Sequence, residues 1–174
     1  MRAAVAMREG DVELAASGAE RGAAALAGLL GGEVRAGRIH APGRQELAGC
    51  ESGVFFALDG AIEGAVALLF PPAARDALLR ALGDTALADP ASALAEVANI
   101  VASQAACAVA ELRGERVRLS VPRLVARGAG AALAHAIGDG PAFASELGPP
   151  AGGVRALFVL VPGAPPSGCD TVAG

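Results

Sequence analysis

The sequence predicts a single α/β (α+β) domain. It is expected to hold two pseudo-symmetric helix–strand–strand–strand repeats, a central and mainly antiparallel sheet, and two long helices on one face of that sheet. Three observations carry this expectation. The segment 13–39 matches 96–122 at a constant offset of 83 residues, and self-similarity at a fixed spacing marks a duplicated unit. Each copy opens on a long Ala-rich stretch with apolar residues at helical spacing. Each closes on a short apolar run ended by proline, 64–71 and 155–162, as buried strands do.

The first repeat, about 10–83, begins with a helix near 10–30. Gly31 follows it, at the left-handed position that favours glycine after a helix. Strands are expected near 34–39, 53–59 and 64–70, then a helix near 73–83. The second repeat, about 90–162, begins with a helix near 90–113. Asp89 and Pro90 suit its N-cap and first position, and Gly114 ends it. Strands are expected near 117–122, more weakly within 131–147, and near 154–161. The weak alternation within 131–147 leaves that strand's register open. The closing strand is offset by 91 residues instead of 83, so the second copy carries an insertion. The turn at Gly138-Asp139-Gly140-Pro141 is the expected place for it. The domain then spans 1–162, and 163–174, with Pro165, Pro166 and Gly168, reads as a flexible tail.

Composition narrows the function classes. The chain has 174 residues, 53% hydrophobic and 18% charged, with a net charge of −4 and no Trp or Tyr. All 14 basic residues are arginine. A nucleic-acid binder would carry a basic footprint and stacking aromatics, so none is expected. The start, Met1-Arg2 to Arg8-Glu9, is charged too soon for a signal peptide. The uncharged stretch 97–110 is shorter than the roughly 20 residues of a membrane span. A soluble, cytoplasmic protein without membrane contact is the expectation. Cys50, Cys107 and Cys169 are too far apart in sequence to suggest a metal pair or a disulfide framework. Cys107 is expected to be buried or half-buried. His40 and His135 stand singly.

One pattern asks for chemistry. Ser92, Glu96, Asn99 and Ser103 fall within about 60° on the helix near 90–113, at about 100° per residue. Leu94, Val97, Val101, Ala105, Ala108 and Leu112 fall on the opposite face and are expected in the core. A polar stripe is ordinarily a helix's solvated face. This one contains neither Lys nor Arg, and it includes Asn, a mediocre helix former whose amide competes with the backbone.

The spacing Ser92-x3-Glu96-x2-Asn99-x22-Pro122 resembles the Asp/Ser-x3-Glu-x2-Asn-x22-Pro motif of the CheC/CheX/FliY family of chemotaxis phosphatases. The run 62–71 resembles that family's central strand and closing proline. The duplication resembles its architecture, and the likeness covers about 10–162. The resemblance implies a hydrolase acting on the aspartyl phosphate of a CheY-type response regulator. It implies no cofactor of the chain's own, with Mg²⁺ supplied by the response regulator. Asn99 would aim the attacking water, because a neutral carboxamide approaches the anionic phosphorus where a carboxylate is repelled. Glu96 would engage a lysine of the partner. Ser92 would sit at the contact edge or cap the first turn, and Pro122 would shape the strand end. In the first repeat Glu13 stands at the glutamate position, Glu9 at Ser92's, Ala16 at the asparagine's and Ile39 at the proline's. The resemblance therefore implies one working site, with Glu13 and Ala16 marking a degenerate one.

Two other implications follow from the family. A non-catalytic module resembling the middle domain of FliM would dock a response regulator, or the receptor deamidase CheD, without hydrolysis. One-site relatives such as CheX are dimers and duplicated ones act as monomers, so both states stay open. Elsewhere the residues offer no other chemistry. Gly31-Gly32 and Gly152-Gly153 are lone pairs, not a phosphate loop. There is no Gly-x-Ser-x-Gly elbow and no His/Glu metal spacing.

Overall fold

The computed structural model describes residues 8–153 and 155–163. In chain order the elements are α1 (Glu9–Leu30), β1 (Arg35–Ala36), α2 (Arg44–Ala48), β2 (Ser52–Gly60), β3 (Gly64–Phe70), α3 (Pro72–Leu82) and α4 (Asp84–Ala88). The second half holds α5 (Pro90–Arg113), β4 (Val117–Leu119), β5 (Arg123–Val125), α6 (Ala129–Ile137), β6 (Phe143–Gly148) and β7 (Ala156–Pro162). Both long helices end on left-handed glycines, Gly31 at φ 67° and Gly114 at φ 68°. The expected tail beyond 163 lies outside the described residues.

Several expectations need correction. The weak strand expected within 131–147 is present as β6, but a helix that was not expected, α6, fills the first part of that stretch. Its alternating small and bulky residues imitate a strand, while the density of alanine, the best helix former, decides for the helix. The helices α2 and α4, five residues each, are too short for a helical period to show in sequence. The strand expected near 34–39 shrinks to β1 and one further bridge, His40 to Ala144. The strand expected near 117–122 breaks into β4 and β5. About half of the insertion is a longer helix, since α6 has nine residues against five in α2, and the rest lies in the loops around it.

The sheet runs β1-β6-β7-β3-β2-β4, with β5 also on β2, and every pairing among the described strands is antiparallel. The two halves meet at β3 and β7, where Ala67 faces Val159 and Leu68 faces Phe158. Each half sends its first strand across. β1 pairs with β6 of the second half, and β4 and β5 pair with β2 of the first. That exchange makes one continuous sheet out of two repeats, and rules out a two-domain reading.

Both sheet faces are buried. Four of the five phenylalanines, Phe56, Phe70, Phe143 and Phe158, lie on the face covered by α1 and α5. Burying a side chain of that size stabilises by roughly 1.5–3 kcal/mol. The opposite face packs Phe55, Leu69 and Val159 against Leu47 of α2 and Leu133 of α6. Close helix contact depends on small residues. A Cβ on Gly22 would lie 3.0 Å from Val101 Cγ1, and one on Gly18 would lie 3.4 Å from Phe158 Cζ. These contacts run α1 and α5 antiparallel, Gly18 by Ala105 and Gly22 by Val101.

Leu112 departs from expectation: it is 48% exposed. Its angular position points inward, but the buried residues of α5 end at Val109 and those of α1 at Leu26. Each last turn overhangs the core, and the repeat counterpart of Leu112, Leu29, is 38% exposed. Cys107 is exposed, not buried, because its position turns it towards the polar stripe; Cys50 is buried. Cys169 lies outside the described residues. The helix α5 is long and apolar enough to span a bilayer by length and composition, yet half of its most apolar window is buried within this fold.

Candidate functional site

The site is the outer face of α5. Its start is set by Asp89, whose carboxylate accepts the Ser92 backbone N–H at 3.2 Å, with Pro90 at the first helical position. The Ser92 hydrogen bonds hold the Asp89 carboxyl below the usual carboxylate value. Ser92 therefore belongs to the cap, and Asp89 was the capping residue legible in sequence. Glu96 follows one turn later, and Asn99 three residues beyond it. All three side chains are exposed. Among the described residues neither Glu96 nor Asn99 has a hydrogen-bond or ion-pair partner in the protein.

The two flanks of this stripe differ. On the Glu96 side lies a groove of about 320 Å³. Leu29 of α1, Leu82 of α3, and Val97 and Ile100 of α5 give it apolar walls, while Glu96, Ser92 and Asp89 line its polar side. Ala86 and Thr85 of α4 close it. The groove exists because α3 and α4 follow β3 and cross towards the start of α5.

Asn99 is not in that groove. It lies on the other flank, about 60° round the helix from Glu96 at 100° per residue. Ala102 and Ala106, next to Asn99 on the wheel, are buried. With α1 and the groove on the Glu96 side, this flank is the one that packs on β4 and β5, both of which α5 contacts.

The long spacing to proline has a geometric reason. From Asn99 to Gly114 the helix rises roughly 22 Å, at about 1.5 Å per residue. From Arg116 to Pro122 an extended chain returns roughly 20 Å, at about 3.3 Å per residue. Pro122 thus comes back level with Asn99. The register there is broken. Leu58 faces Leu119, and the Ser120 N–H donates to the Ala57 carbonyl, but Phe55 faces Arg123. Val121 and Pro122 together stand opposite Phe56, which defines a β-bulge. Proline tolerates a bulge because it has no N–H to give the ladder. Ser120 repairs the break: its Oγ accepts the Ala57 N–H at 2.9 Å and donates to the Val121 carbonyl at 3.1 Å. Pro122 is therefore a bulge residue inside a broken strand, and the bulge was not visible in sequence.

The first repeat carries the same device. Ala36 faces Leu147 and the Gly37 N–H donates to Glu146, while His40 bridges Ala144. Arg38 and Ile39 therefore share the place opposite Ser145. Here the glutamate position keeps an exposed Glu13, but the asparagine position holds half-buried Ala16, and Ile39 is half-buried where Pro122 is exposed.

Two other features lie apart from the stripe. An apolar hollow of about 270 Å³ lies between α1, α3 and the β6–β7 end, and Glu33 is the only ionisable residue lining it. It contains none of the motif residues. His40 bonds Glu46 at 2.8 Å beside α2, and Glu46 also accepts the Gly43 N–H at 3.1 Å. That cluster caps α2 far along the chain from the stripe. Among the described residues no group of three or more His, Cys, Asp or Glu side chains could hold a metal ion.

Comparison with known proteins bears on this surface. The CheC-like family model matches residues 91–126, which run from the first turns of α5 past β5. No curated protein matches the sequence. Among solved structures the chain is similar to Thermotoga maritima FliY, with a TM-score of 0.68, 14% identity, and coverage of 93% of this chain and 92% of that one. It is similar to a putative chemotaxis protein from Desulfovibrio vulgaris Hildenborough, with a TM-score of 0.64, 16% identity, and coverage of 87% and 97%. It is also similar to a chain of the CheX–CheY–BeF3–Mg²⁺ complex from Borrelia burgdorferi, with a TM-score of 0.64, 15% identity, and coverage of 87% and 98%. At these identities the structural likeness speaks for the fold. The resemblance to the CheC-like family is borne out by the matched segment and by that fold together.

Proposed function

We propose that this chain hydrolyses the aspartyl phosphate of a CheY-type response regulator, in a chemotaxis or motility pathway of the cytoplasm. One observation carries the reading: Glu96 and Asn99 stand exposed and unpartnered on a convex helix, level with Pro122. Asn99 stands outside the groove beside Glu96, on a convex face that encloses no small substrate, which favours a phosphoryl group presented by another macromolecule. The match of 91–126 to the CheC-like model supports a phosphorylated receiver as that macromolecule.

An acyl phosphate is already reactive, so the enzyme's task is to position water for in-line attack. The Asn99 carbonyl oxygen accepts a hydrogen bond from that water and aims its oxygen at phosphorus. The new P–O bond forms as the bond to the aspartyl oxygen breaks. The electron pair leaves with the carboxylate, and the water's proton ends on inorganic phosphate. Glu96 binds a cation of the partner, a lysine in the family this chain resembles, and orients it. Mg²⁺ belongs to the receiver and enters with it.

The test is phosphate loss from a phosphorylated, Mg²⁺-loaded CheY-type receiver of the same organism, alone, with the wild-type chain, and with Asn99→Ala. Acceleration by wild type alone supports the reading. Binding without acceleration, across the receivers encoded beside this chain, would replace it with the non-catalytic docking module. CheD binding is a separate expectation of the same resemblance, tested by direct titration.

A further inference from the structure

We infer that Val121, pushed out by the bulge at Pro122, is an anchor through which the chain docks on the receiver; this rests on the phosphatase reading. Val121 is 83% exposed, the most exposed of the large hydrophobic residues described, with Leu87 next at 49%. A single exposed apolar side chain is ordinary. Three features set this one apart.

The first is rigidity. Ser120 fixes the backbone next to Val121 on both sides: its N–H and Oγ both bond Ala57, and its hydroxyl holds the Val121 carbonyl. A side chain fixed before binding loses little entropy on docking. The second is place. Val121 sits level with Asn99, on the flank of α5 that packs on β4 and β5, opposite the groove beside Glu96. The polar pair is therefore flanked by an apolar groove on one side and an apolar knob on the other, and buried apolar anchors of this kind carry much of the energy of a protein interface. The third is residue type. A bulge at a sheet edge also blocks unwanted strand pairing, but that role is served better by a charged side chain. The exposed edge here shows valine between Ser120 and proline.

The partner surface this fits has an apolar hollow one strand's width from its phosphoryl group, and a cation on the far side to meet Glu96. Bulges re-aim side chains in this way near functional sites.

The experiment uses the full chain as wild type, Val121→Asp, Val121→Ala and Leu112→Asp, the last an exposed apolar residue in the overhanging turn. Two readouts are taken: titration against a Mg²⁺- and beryllofluoride-loaded receiver, and phosphate loss against receiver concentration. Val121→Asp should weaken binding and raise KM by about ten-fold or more, as a lost anchor does, with kcat within about two-fold. Val121→Ala should show a smaller shift of the same sign, and Leu112→Asp none. All variants should melt with the wild type. Unchanged binding in Val121→Asp, with wild type active, overturns the anchor and leaves the phosphatase reading standing. Wild type that binds but does not hydrolyse sinks the phosphatase reading, while loss of binding in Val121→Asp still upholds the anchor. No binding by wild type overturns both.

Discussion

Glu96 and Asn99 are three residues apart on one helix yet border different neighbours. Glu96 lines the groove walled by Leu29 and Leu82, whereas Asn99 faces the flank of β4 and β5. A partner lying across the stripe meets a carboxylate beside an apolar hollow, and a carboxamide beside a rigid bulge. Under the proposed function the two side chains take separate tasks, docking for Glu96 and water positioning for Asn99.

Separate tasks predict separate kinetic losses. Asn99→Ala should remove most turnover, on the order of a hundred-fold or more for a lost positioning group, while binding of a beryllofluoride-loaded receiver changes little. Glu96→Ala should weaken that binding and lower turnover with it. Near-wild-type hydrolysis by Asn99→Ala would rule out the water-positioning role.

The first repeat offers a test by restoration. Ala16→Asn rebuilds the missing amide, and Ala16→Asn with Ile39→Pro also rebuilds the proline position. Neither should give a working site in a chain already carrying Asn99→Ala. Ala16 is half-buried where Asn99 is exposed, and Ile39 is half-buried where Pro122 is exposed. Recovered phosphate release by either variant would show that the motif residues alone make the site.

Gly130 tests the packing of the second sheet face. Its N–H donates to the Cys50 carbonyl at 2.9 Å, and a Cβ there would overlap the Leu47 carbonyl oxygen. Backbone cannot move aside as a flexible side chain can. Gly130→Ala should therefore destabilise by about 1–3 kcal/mol, the usual range for overpacking, read by chemical denaturation. Hydrolysis by the folded fraction should persist, because α2 and α6 lie on the face away from α5.

His40 predicts a pH dependence of stability. Burial lowers its pKa, but the Arg38 carbonyl, the hydrogen bond and charge of Glu46, and the charge of Glu146 together outweigh burial and raise it above 6.5. A folded-state value above the unfolded one means that protonated His40 favours the folded state. Its contribution is full below the ordinary value and fades as pH rises through the raised one. Replacing His40 with Gln should flatten the melting profile across that window and leave higher pH unchanged. An identical pH profile for the variant would contradict the Glu46 contact. Cys50, close by, is pushed up to about 11 by burial and the Glu46 charge, so it stays a thiol and adds nothing to this window.

Some elements could be read before any fold was known, and the reasons differ. The helices α1 and α5 show a full apolar period over six or more turns, with Asp89, Pro90, Gly31 and Gly114 marking their ends. The strands β3 and β7 are continuous apolar runs closed by Pro71 and Pro162. Such local signals need no partner. The helices α2 and α6 gave the opposite case. Their burial depends on the far face of the sheet, which helical periods of five and nine residues cannot announce. Leu112 misled because angle on a helix says which way a side chain points, not whether anything lies there.

The sequence by itself determined the repeat, the long helices, the closing strands, and the one stripe where Ser92, Glu96 and Asn99 share a face. Each of these depends on neighbours a few residues away, or on comparison of one half with the other. Only the tertiary structure decided which strands cross between halves, where α4 walls the groove, and that Val121 and Pro122 share one place opposite Phe56. Those facts depend on register between segments distant in the chain. A one-residue slip in such a register leaves local propensity untouched, yet it changes which side chains a partner can reach.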